Sequence, residues 1–358
     1  MMQMALPRVI VLYNKLFHYR IPVWNILAEM CDLTVAYTDG DGKIPAGMEC
    51  KFKILHLPAK KLFRKFVIHK DSIRELVKKY DAVIAYGDIA WVKYSTLPWF
   101  SKTKVVFHSL GVSASYDKGY DVHHEWDSIR KLFYNRADAL AFYTSFPIDK
   151  YAKMGIPREK MFEAPNTVEV RPVEVASEKD SILFIGTLYR QKGIQSVLDA
   201  YLNLRGKVDL PIFRIIGKGP DYEPIRQWID EHNMGDLIEM TGAVFDIDEK
   251  ANYFAKAYAC ISPKQAGLSV LESMGYGVPF ISCKGAITGG ELLNIHNGVD
   301  GVIVETESKI IDVIRDIAIN KDKYIEMGKK AQEFYKGNRT PRHMANGLWN
   351  AVKYAMEH

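Results

Sequence analysis

The chain has 358 residues, of which 48% are hydrophobic and 25% charged, and its formal net charge is +5. This length exceeds what one hydrophobic core serves and suits two domains, and the composition excludes a largely disordered chain. The mild positive charge allows an acidic small molecule or an anionic surface as partner and does not call for nucleic acid.

The start of the chain, MMQMALPRVIVLYNK, has only a short apolar run before Asn14 and Lys15. A secretory signal needs a longer apolar core, and no uncharged run is long enough to span a bilayer. Cys260 and Cys283 lie in apolar runs that predict strands, so we interpret them as buried free thiols. We therefore expect a cytoplasmic protein, with peripheral contact at the inner membrane face left open.

Strand and helix patterns alternate along the first half of the chain. Short apolar runs predict strands at 8–13, 33–37, 52–57, 82–86, 105–108 and 140–144, and helical spacing predicts helices at 20–30, 62–79 and 125–135. Continuous apolar strands are typical of parallel sheets that are buried on both faces. The alternation predicts a doubly wound α/β domain.

Residues 168–179, VEVRPVEVASEK, interrupt this alternation with charges and Pro172, so we interpret them as an interdomain linker. The pattern then resumes with strands at 181–185, 212–216, 237–240, 259–261 and 279–281, helices at 193–204, 221–232 and 268–274, and a helical tail over 322–358. Two doubly wound domains are therefore expected, over residues 1–170 and 171–340.

The first candidate phosphate site is FIGTLYRQKG, residues 184–193. A buried strand runs into Gly186, whose backbone allows a ligand to approach, and a helix then begins beyond Arg190 and Lys192. Two cations before a helix N-terminus suit a phosphate group. An ordinary loop with solvated cations remains the alternative.

Two later segments also end strands with glycines. IIGKGP, residues 215–220, contains Gly217 and Gly219, without the third glycine of a dinucleotide fingerprint. In residues 259–281, Gly267 opens a short helix that carries Glu272. That carboxylate suits the vicinal hydroxyls of a ribose, and a solvated helix carboxylate is the alternative.

Together the segments GTLYRQKG, GKGP and KQAGLSVLESMGYGVPFI resemble the group 1, or family 4, retaining glycosyltransferases of GT-B fold. The family signatures run G-R-L-x-x-x-K-G, then G-x-G-P, then E-G-F-G-L-x-x-x-E-A-x-A-x-G-x-P-V-I. The resemblance extends over the chain and includes YNKLFHYRIPVWNILA and Ala164-Pro165-Asn166. It implies two Rossmann-like domains facing a central cleft, with a C-terminal helix at about 341–358 packing back on the N-terminal domain.

The resemblance also implies the residues of the site. Nucleoside-diphosphate sugar would be bound in the C-terminal domain by Gly186, Thr187, Gly217, Gly219, Gly242, Val244, Lys264, Ala266, Gly267, Leu268 and Glu272. Catalysis would involve Arg190, Lys192 and His108, which ends the strand KVVFH where the family has a histidine near the donor sugar. By residue type alone, a core histidine is the alternative for His108.

Two positions depart from the family pattern. Thr187 stands where the family has an arginine, and Arg190 is the nearest substitute. Lys264 replaces the first glutamate of the E-x7-E pair, while Glu272 keeps the second. Nucleotide binding is therefore expected to be intact and sugar recognition altered, and a catalytically impaired sugar-nucleotide-binding protein remains an alternative.

The acceptor side is expected in the N-terminal domain. His18, Tyr19 and Arg20 follow the first strand and contact acceptor or phosphate, or cap the helix. Residues 120–126, YDVHHEW, suit a sugar acceptor or the start of a surface helix.

Two D-x-D sequences resemble metal motifs of another glycosyltransferase fold. Asp39-Gly40-Asp41 lies in a glycine-rich turn, and Asp246-Ile247-Asp248 is interpreted as a helix N-cap. We therefore expect no cofactor and no essential metal, with cations and helix N-termini stabilising the leaving diphosphate.

The predicted activity is sugar transfer from a nucleoside diphosphate to an acceptor hydroxyl, with retention as the resemblance implies, in polysaccharide or glycoconjugate synthesis. A sugar or lipid-linked sugar is the expected acceptor. An epimerase of the same architecture is the runner-up, although no convincing acid/base carboxylate pair is present. A periplasmic sugar receptor is disfavoured by the missing signal peptide, and a nicotinamide dehydrogenase by the incomplete glycine fingerprint.

A membrane contact is predicted at residues 60–70. Lys60, Lys61, Arg64, Lys65 and Lys70 alternate with apolar side chains in the expected helix. Such a helix suits an anionic leaflet. The alternative is an amphipathic helix with its apolar side on the sheet and its lysines in water, in which case Phe63 and Phe66 point into the core.

Overall fold

The computed structural model describes residues 5–63, 65–115, 119–171, 178–244 and 246–358. The chain forms two compact units. Unit 1 takes in residues 5–113, 121–169 and 339–358, and unit 2 takes in residues 114–120 and 170–338. Residues 114–115 and 119–120 group with unit 2, although they fall within the range predicted for the first domain. Half of the predicted linker, residues 172–177, lies outside the described residues.

The strands of the N-terminal half are short, as their apolar runs predict. They are β1 (Arg8–Leu12), β2 (Asp32–Tyr37), β3 (Lys53–His56), β4 (Ala59–Leu62), β5 (Phe66–His69), β6 (Ala82–Tyr86), β7 (Lys104–Ser109), β8 (Ala114–Ser115), β9 (Gly119–Tyr120), β10 (Ala139–Phe142) and β11 (Met161–Glu163). Seven of them form a parallel sheet in the order β11-β10-β7-β6-β1-β2-β3.

Both faces of the unit 1 sheet are covered. In β1, Val9 and Val11 enter one core while Ile10 and Leu12 enter the other, which explains why the strand is apolar throughout. The helices of this half are α1 (Ile21–Leu27), α2 (Ile73–Val77), α3 (Val92–Ser95), α4 (Leu97–Phe100), α5 (Asp127–Arg136) and α6 (Phe146–Lys153). Helix α1 packs on the first face, and α2 to α6 pack on the second.

Unit 2 repeats the arrangement. Its strands are β12 (Ser181–Ile185), β13 (Ile212–Ile216), β14 (Ile238–Gly242), β15 (Ala257–Ile261), β16 (Gln265–Ala266), β17 (Phe280–Cys283), β18 (Ile287–Thr288) and β19 (Gly301–Val304). Six of them form a parallel sheet in the order β14-β13-β12-β15-β17-β19. The carboxyl ends of β12, β13 and β15 therefore meet at one edge of the sheet, where such folds bind ligands.

The remaining helices follow in chain order. They are α7 (Ile194–Leu204), α8 (Tyr222–Glu231), α9 (Ile247–Ala255), α10 (Ser269–Gly275), α11 (Ile310–Ile319), α12 (Lys321–Asn338) and α13 (Pro341–Glu357). Cys260 and Cys283 are buried free thiols on β15 and β17, as predicted. No helix in the described part of the chain is both long and apolar enough for a membrane span.

Helix α13 belongs to unit 1 although it ends the chain. Its buried face, which includes Leu348 and Val352, shares a core with β1 and α1. At Gly347 the helix comes so close to the backbone that an added Cβ would lie 2.2 Å from the Glu163 carbonyl oxygen. A glycine is therefore required there for the helix to reach the end of β11.

The helix predicted over 62–79 is wrong in its first half. Ala59–Leu62 and Phe66–His69 form the antiparallel β4–β5 hairpin, and the short α2 follows, capped by Ser72. Along β5, Phe66 is exposed, Val67 buried, Ile68 half-buried and His69 buried, which is the two-residue period of a strand. A short apolar run fits both periods, so spacing alone did not separate them.

Candidate functional site

Lys192 lies in the turn Arg190–Lys192 that links β12 to α7, and the residue is only 9% exposed. Burial lowers the pKa of Lys192 to about 8. Its ammonium lies 5.5 Å from the centre of the Tyr189 ring and faces Gly186. Among the described residues it has no hydrogen-bond acceptor and no carboxylate partner. A buried cation without a counter-ion is costly, so this position favours an anionic ligand.

The predicted glycines hold the neighbouring loops together. An added Cβ at Gly217, where φ is +155°, would lie 1.9 Å from the carbonyl oxygen of Gly186. An added Cβ at Gly219 would lie 2.2 Å from the carbonyl oxygen of Leu188, and Gly217 N–H donates to the Gly242 carbonyl at 2.7 Å. Close loop packing accounts for Gly217 and Gly219, so their presence is explained without a ligand.

The loop after β15 is joined to the Lys192 turn. Lys264 N–H donates to the Lys192 carbonyl at 3.2 Å, and the Tyr189 hydroxyl donates to the Gln265 side chain. Ala266 is fully buried, so its side chain is part of the core. Gly267 has open space around its Cα, and Leu268 is the N-cap of α10.

Glu272 projects from α10 and is paired with a residue that the sequence did not single out. Lys250 Nζ, from α9, donates to Glu272 Oε1 at 2.6 Å. Glu272 and Lys192 both act electrostatically on the buried Cys260 thiol, so the two predicted groups lie near the same residue of β15. Lys250 is 22 residues from Glu272 in sequence, and only the fold brings them together.

The other predicted donor-binding residues border this region. Thr187 and Arg190 are exposed in the loop after β12, and Val244 is half-buried after β14. The Lys264 side chain turns toward Glu307, with 3.1 Å between Nζ and Oε1. Sequence reasoning missed Glu307, because nothing in its local pattern relates it to the Lys192 turn.

In unit 1, His108 is completely buried at the end of β7. Its ring contacts Tyr143 and Tyr13, with centroid distances of 4.6 and 6.0 Å, and neither ring nitrogen has a hydrogen-bond partner among the described residues. Burial, and to a lesser degree Arg20, holds the pKa of His108 well below its ordinary value. The imidazole is therefore neutral at physiological pH.

Arg20, predicted for the acceptor side, is buried beside this histidine. Its guanidinium donates to Asn166 Oδ1 at 2.6 Å and to the sulfur of Met344 on α13, and it lies over the Tyr143 ring. Arg20 thus joins the first helix, the segment after β11 and the C-terminal helix. These contacts are structural, which leaves His18 and Tyr19 as the accessible members of the trio.

The YDVHHEW segment leads into helix α5 and forms an ion network. Lys150 Nζ lies 2.5 Å from Asp121 and 2.6 Å from Asp127, and His124 Nδ1 lies 2.9 Å from Asp127. Asp121, His124 and Asp127 also form the one three-residue group of potential metal ligands within the described residues. Lys150 pairs with both carboxylates and Arg130 pairs with Asp127, so two cations already balance the two acids, which disfavours a further cation there.

The D-x-D sequences have local structural roles. Asp246 accepts from the N–H groups of Asp248 and Glu249 at 3.0 and 2.8 Å, so it is the N-cap of α9, as predicted. Asp41 accepts from the Lys43 N–H in a turn at Gly40, where φ is +95°.

Solved structures show the same class of fold. An Anabaena protein, Alr3699/HepE in complex with UDP, matches with a TM-score of 0.72 at 15% identity, over 97% of this chain and 99% of that one. Two parallel-sheet α/β units with this topology are the fold of GT-B glycosyltransferases.

The sequence of the second unit then identifies the family. Residues 167–334 match the sequence model of the group 1 glycosyltransferases, so unit 2 is a group 1 glycosyltransferase domain. A GDP-mannose-dependent alpha-(1-6)-phosphatidylinositol monomannoside mannosyltransferase of Mycobacterium tuberculosis is 23% identical over 232 residues, which are 58% of this chain and 59% of that protein. A poly(glycerol-phosphate) alpha-glucosyltransferase of Bacillus subtilis is 23% identical over 230 residues, 60% of this chain and 33% of that protein. The alignments thus span 59% and 33% of these relatives' lengths.

Proposed function

We propose that this protein transfers a sugar from a nucleoside diphosphate to an acceptor hydroxyl, and that unit 2 binds the donor. The observation that carries the proposal is Lys192, a buried ammonium without a counter-ion in the loop after β12. The match to the group 1 family covers the same loop. A diphosphate placed there would supply the missing negative charge.

Lys192 and Arg190 give the site its proposed catalytic role. As the bond from the anomeric carbon to the diphosphate breaks, negative charge develops on the leaving phosphate, while the acceptor oxygen bonds to the sugar and its proton passes to the leaving phosphate oxygen. A cation already held in a water-poor turn stabilises that charge more in the transition state than in the ground state. We propose retention of configuration from the family relationship, His108 as a group near the donor sugar, and no essential metal.

Glu272 is proposed to bind the ribose. Its Oε1 atom is engaged by Lys250, and Oε2 has no hydrogen-bond partner among the described residues, which leaves it for a ligand hydroxyl. Gly242 and Val244, at the end of β14, would border the base. Gly267 and Leu268 follow Gln265, which accepts a hydrogen bond from Tyr189 beside the Lys192 turn. Their N–H groups would assist the diphosphate.

A thermal-shift screen against UDP, GDP, ADP and their sugars tests the donor site. A nucleotide present at 100 times its dissociation constant stabilises the folded state by about 2.7 kcal/mol. Lys192→Met should strongly reduce this stabilisation, while Lys218→Met, an exposed lysine in the GKGP loop, should keep most of it. If no nucleotide stabilises the wild-type protein, the proposed function is wrong.

We propose a polysaccharide or glycoconjugate precursor, carried on a lipid, as the acceptor. The relatives named above act on a phosphatidylinositol mannoside and on poly(glycerol-phosphate). Their acceptors are membrane-linked or polyanionic, so we propose a cytoplasmic protein that works at the inner face of a membrane.

The β4–β5 hairpin is the proposed membrane contact. Phe63, at its tip, is 80% exposed and has a φ of 51°. A left-handed conformation is unfavourable for a bulky residue, and Asn or Gly would adopt it at lower cost. Leu62 and Phe66 are also exposed, and Lys60, Lys61 and Lys65 surround them, while Arg64 lies outside the described residues. Apolar tips among lysines suit an anionic lipid surface.

Other elements of the same layer present further apolar side chains. The hairpin, α4 and α5 all pack against one face of the unit 1 sheet, through Val67, Leu97 and Tyr134. Their outward side includes Phe100, Trp126, Ile129 and Leu132, all exposed. Such a concentration on one layer is typical of an interaction surface.

A further inference from the structure

A cavity of about 580 Å³ opens in unit 2 at the carboxyl ends of β12, β15, β17 and β19. It is lined by side chains of both charges, which include Arg190, Lys264, Lys284, Glu305 and Glu307. The cavity borders the Lys192 turn, because Arg190 belongs to that turn and Lys264 N–H donates to the Lys192 carbonyl. The proposed diphosphate site and the cavity are therefore neighbours along this turn.

The charges in this cavity do not cancel. Lys264 pairs with Glu307 at 3.1 Å and Lys284 pairs with Glu305 at 3.2 Å. Arg190 has no carboxylate within 4.0 Å among the described residues, so the cavity carries one uncompensated positive charge. Both ion pairs are solvent-exposed, and exposed pairs are weak enough for a ligand carboxylate to replace the protein one.

Lys264 is held in place for such an exchange. Its aliphatic stem lies against Gly193, where an added Cβ would come within 2.6 Å of Lys264 Cγ. The glycine leaves room for the stem, and the ammonium at its end reaches Glu307. Glu307 is therefore the counter-ion of Lys264.

We infer that this cavity receives a donor sugar that carries a carboxylate, as in a uronic acid. The inference rests on the proposed function, since it names the sugar attached to the nucleoside diphosphate bound at Lys192. The sugar carboxylate would pair with Lys264 in place of Glu307 and accept from the planar guanidinium of Arg190. A neutral sugar offers only hydroxyls, which gain less from three cations than a carboxylate does.

Calorimetry with matched sugar nucleotides tests the inference. UDP-glucuronate is compared with UDP-glucose, and GDP-mannuronate with GDP-mannose, with UDP and GDP as references. For the base that binds, the uronate should bind at least tenfold more tightly than the neutral sugar. Lys264→Glu should reverse this preference, and Lys264→Met should remove most of it.

Glu307→Gln gives the sharper comparison, because it removes the competing carboxylate. Affinity for the uronate donor should rise by about three- to tenfold, and affinity for the neutral donor should stay unchanged. Asp312→Asn is the matched control, since Asp312 pairs with Lys309 outside the cavity lining. If UDP or GDP binds but the neutral sugar nucleotide binds as tightly as the uronate, the inference is overturned and the proposed function stands. If none of UDP, GDP and ADP binds, the proposed function itself fails.

Discussion

Lys250 Nζ lies 2.6 Å from Glu272 Oε1, which joins helix α9 to helix α10 beside the proposed nucleoside site. Both side chains are largely buried, with 21% and 14% of their surface exposed. Because a buried carboxylate costs free energy unless it is paired, Lys250 compensates the charge of Glu272 and fixes its direction. Lys250 is thus a positioning residue for the proposed ribose contact.

Replacing Lys250 should therefore affect both folding and binding. We expect Lys250→Met to lower the free energy of unfolding by about 1–3 kcal/mol and nucleoside-diphosphate affinity by about tenfold. Chemical unfolding and calorimetry measure the two effects. Arg171→Met is the control, because the Arg171–Asp248 pair on the same helix is exposed and should matter little. An increase in nucleotide affinity would show instead that Lys250 competes with the ligand for Glu272.

The pH dependence of nucleotide binding should follow Lys192. Its pKa is lowered by burial to about 8, and a bound diphosphate favours the charged ammonium. Below pH 8 the free protein already carries that charge, so affinity is at its full value. Above pH 8 binding requires uptake of a proton, so affinity should fall by up to tenfold per pH unit until the pKa of the complex is reached.

Calorimetry between pH 7 and 10 measures this slope, with Lys192→Met as the variant that should lack it. Lys218→Met, which changes an exposed lysine of the GKGP loop, should keep it. Equal slopes in the wild type and Lys192→Met would place the titrating group elsewhere.

Many of the strands of unit 2 were predicted from the sequence because they are continuous apolar runs. Ile182 to Phe184 are fully buried, and only a strand covered on both faces needs that composition. The turn at Lys192 was also predicted, since a glycine, two cations and a helix start are local features. Lys250 and Glu307 were missed because their partners, Glu272 and Lys264, are distant in sequence and meet only through the fold.

The β4–β5 hairpin, in contrast, could not be predicted from the sequence. Lysines and apolar residues over 60–70 fit a helical spacing, and the buried residues Val67 and His69 fit a strand equally well. What decides is the pairing of β4 with β5, a tertiary interaction that spacing does not encode. The contacts of Arg20 could not be predicted for the same reason, because Asn166 and Met344, which bury it, are distant from it in sequence.

Gly217 should be intolerant of any side chain. An added Cβ would lie 1.9 Å from the Gly186 carbonyl oxygen, and φ is +155°. We expect Gly217→Ala to lower the free energy of unfolding by about 1–3 kcal/mol and to weaken nucleotide binding by displacing the Lys192 loop. Denaturant titration and a thermal-shift assay measure these effects. Gly235→Ala is the control, because nothing lies within 4 Å of its added Cβ, and equal stabilities for the two variants would contradict the loop-packing argument.

Replacing His108 should affect activity without lowering stability. Both ring nitrogens are buried without a partner, so an apolar ring of similar size should be tolerated by the fold. We expect His108→Phe to keep or raise the melting temperature and to keep nucleotide binding, while sugar transfer falls by about 100-fold or more if the imidazole acts near the donor. The pKa of His108 is held well below its ordinary value, so wild-type transfer should show no acid limb near pH 6 from this residue. Unchanged transfer in His108→Phe would make the histidine purely structural.

The last prediction concerns lipid vesicles and the hairpin tip. Burying Phe63 and its apolar neighbours in a bilayer interface stabilises binding, and each lysine near an anionic surface adds roughly 1 kcal/mol. Wild-type protein should therefore sediment with vesicles that contain anionic lipid, less so with neutral vesicles, and less as salt is added. A variant with Leu62→Ser, Phe63→Asn and Phe66→Ser should remain in the supernatant. Asn suits the left-handed φ of 51° at position 63, so this variant should fold as stably as the wild type.

A second variant separates charge from apolar contact. With Lys60, Lys61 and Lys65 changed to Ser, about 3 kcal/mol of attraction is lost, which corresponds to more than 100-fold in vesicle affinity. Leu293→Ser with Ile319→Ser is the matched control, because these residues are similarly exposed but lie on unit 2. The control should sediment like the wild type. If wild-type protein stays in the supernatant with anionic vesicles at low salt, the hairpin is a solvated edge and the proposed membrane contact is wrong.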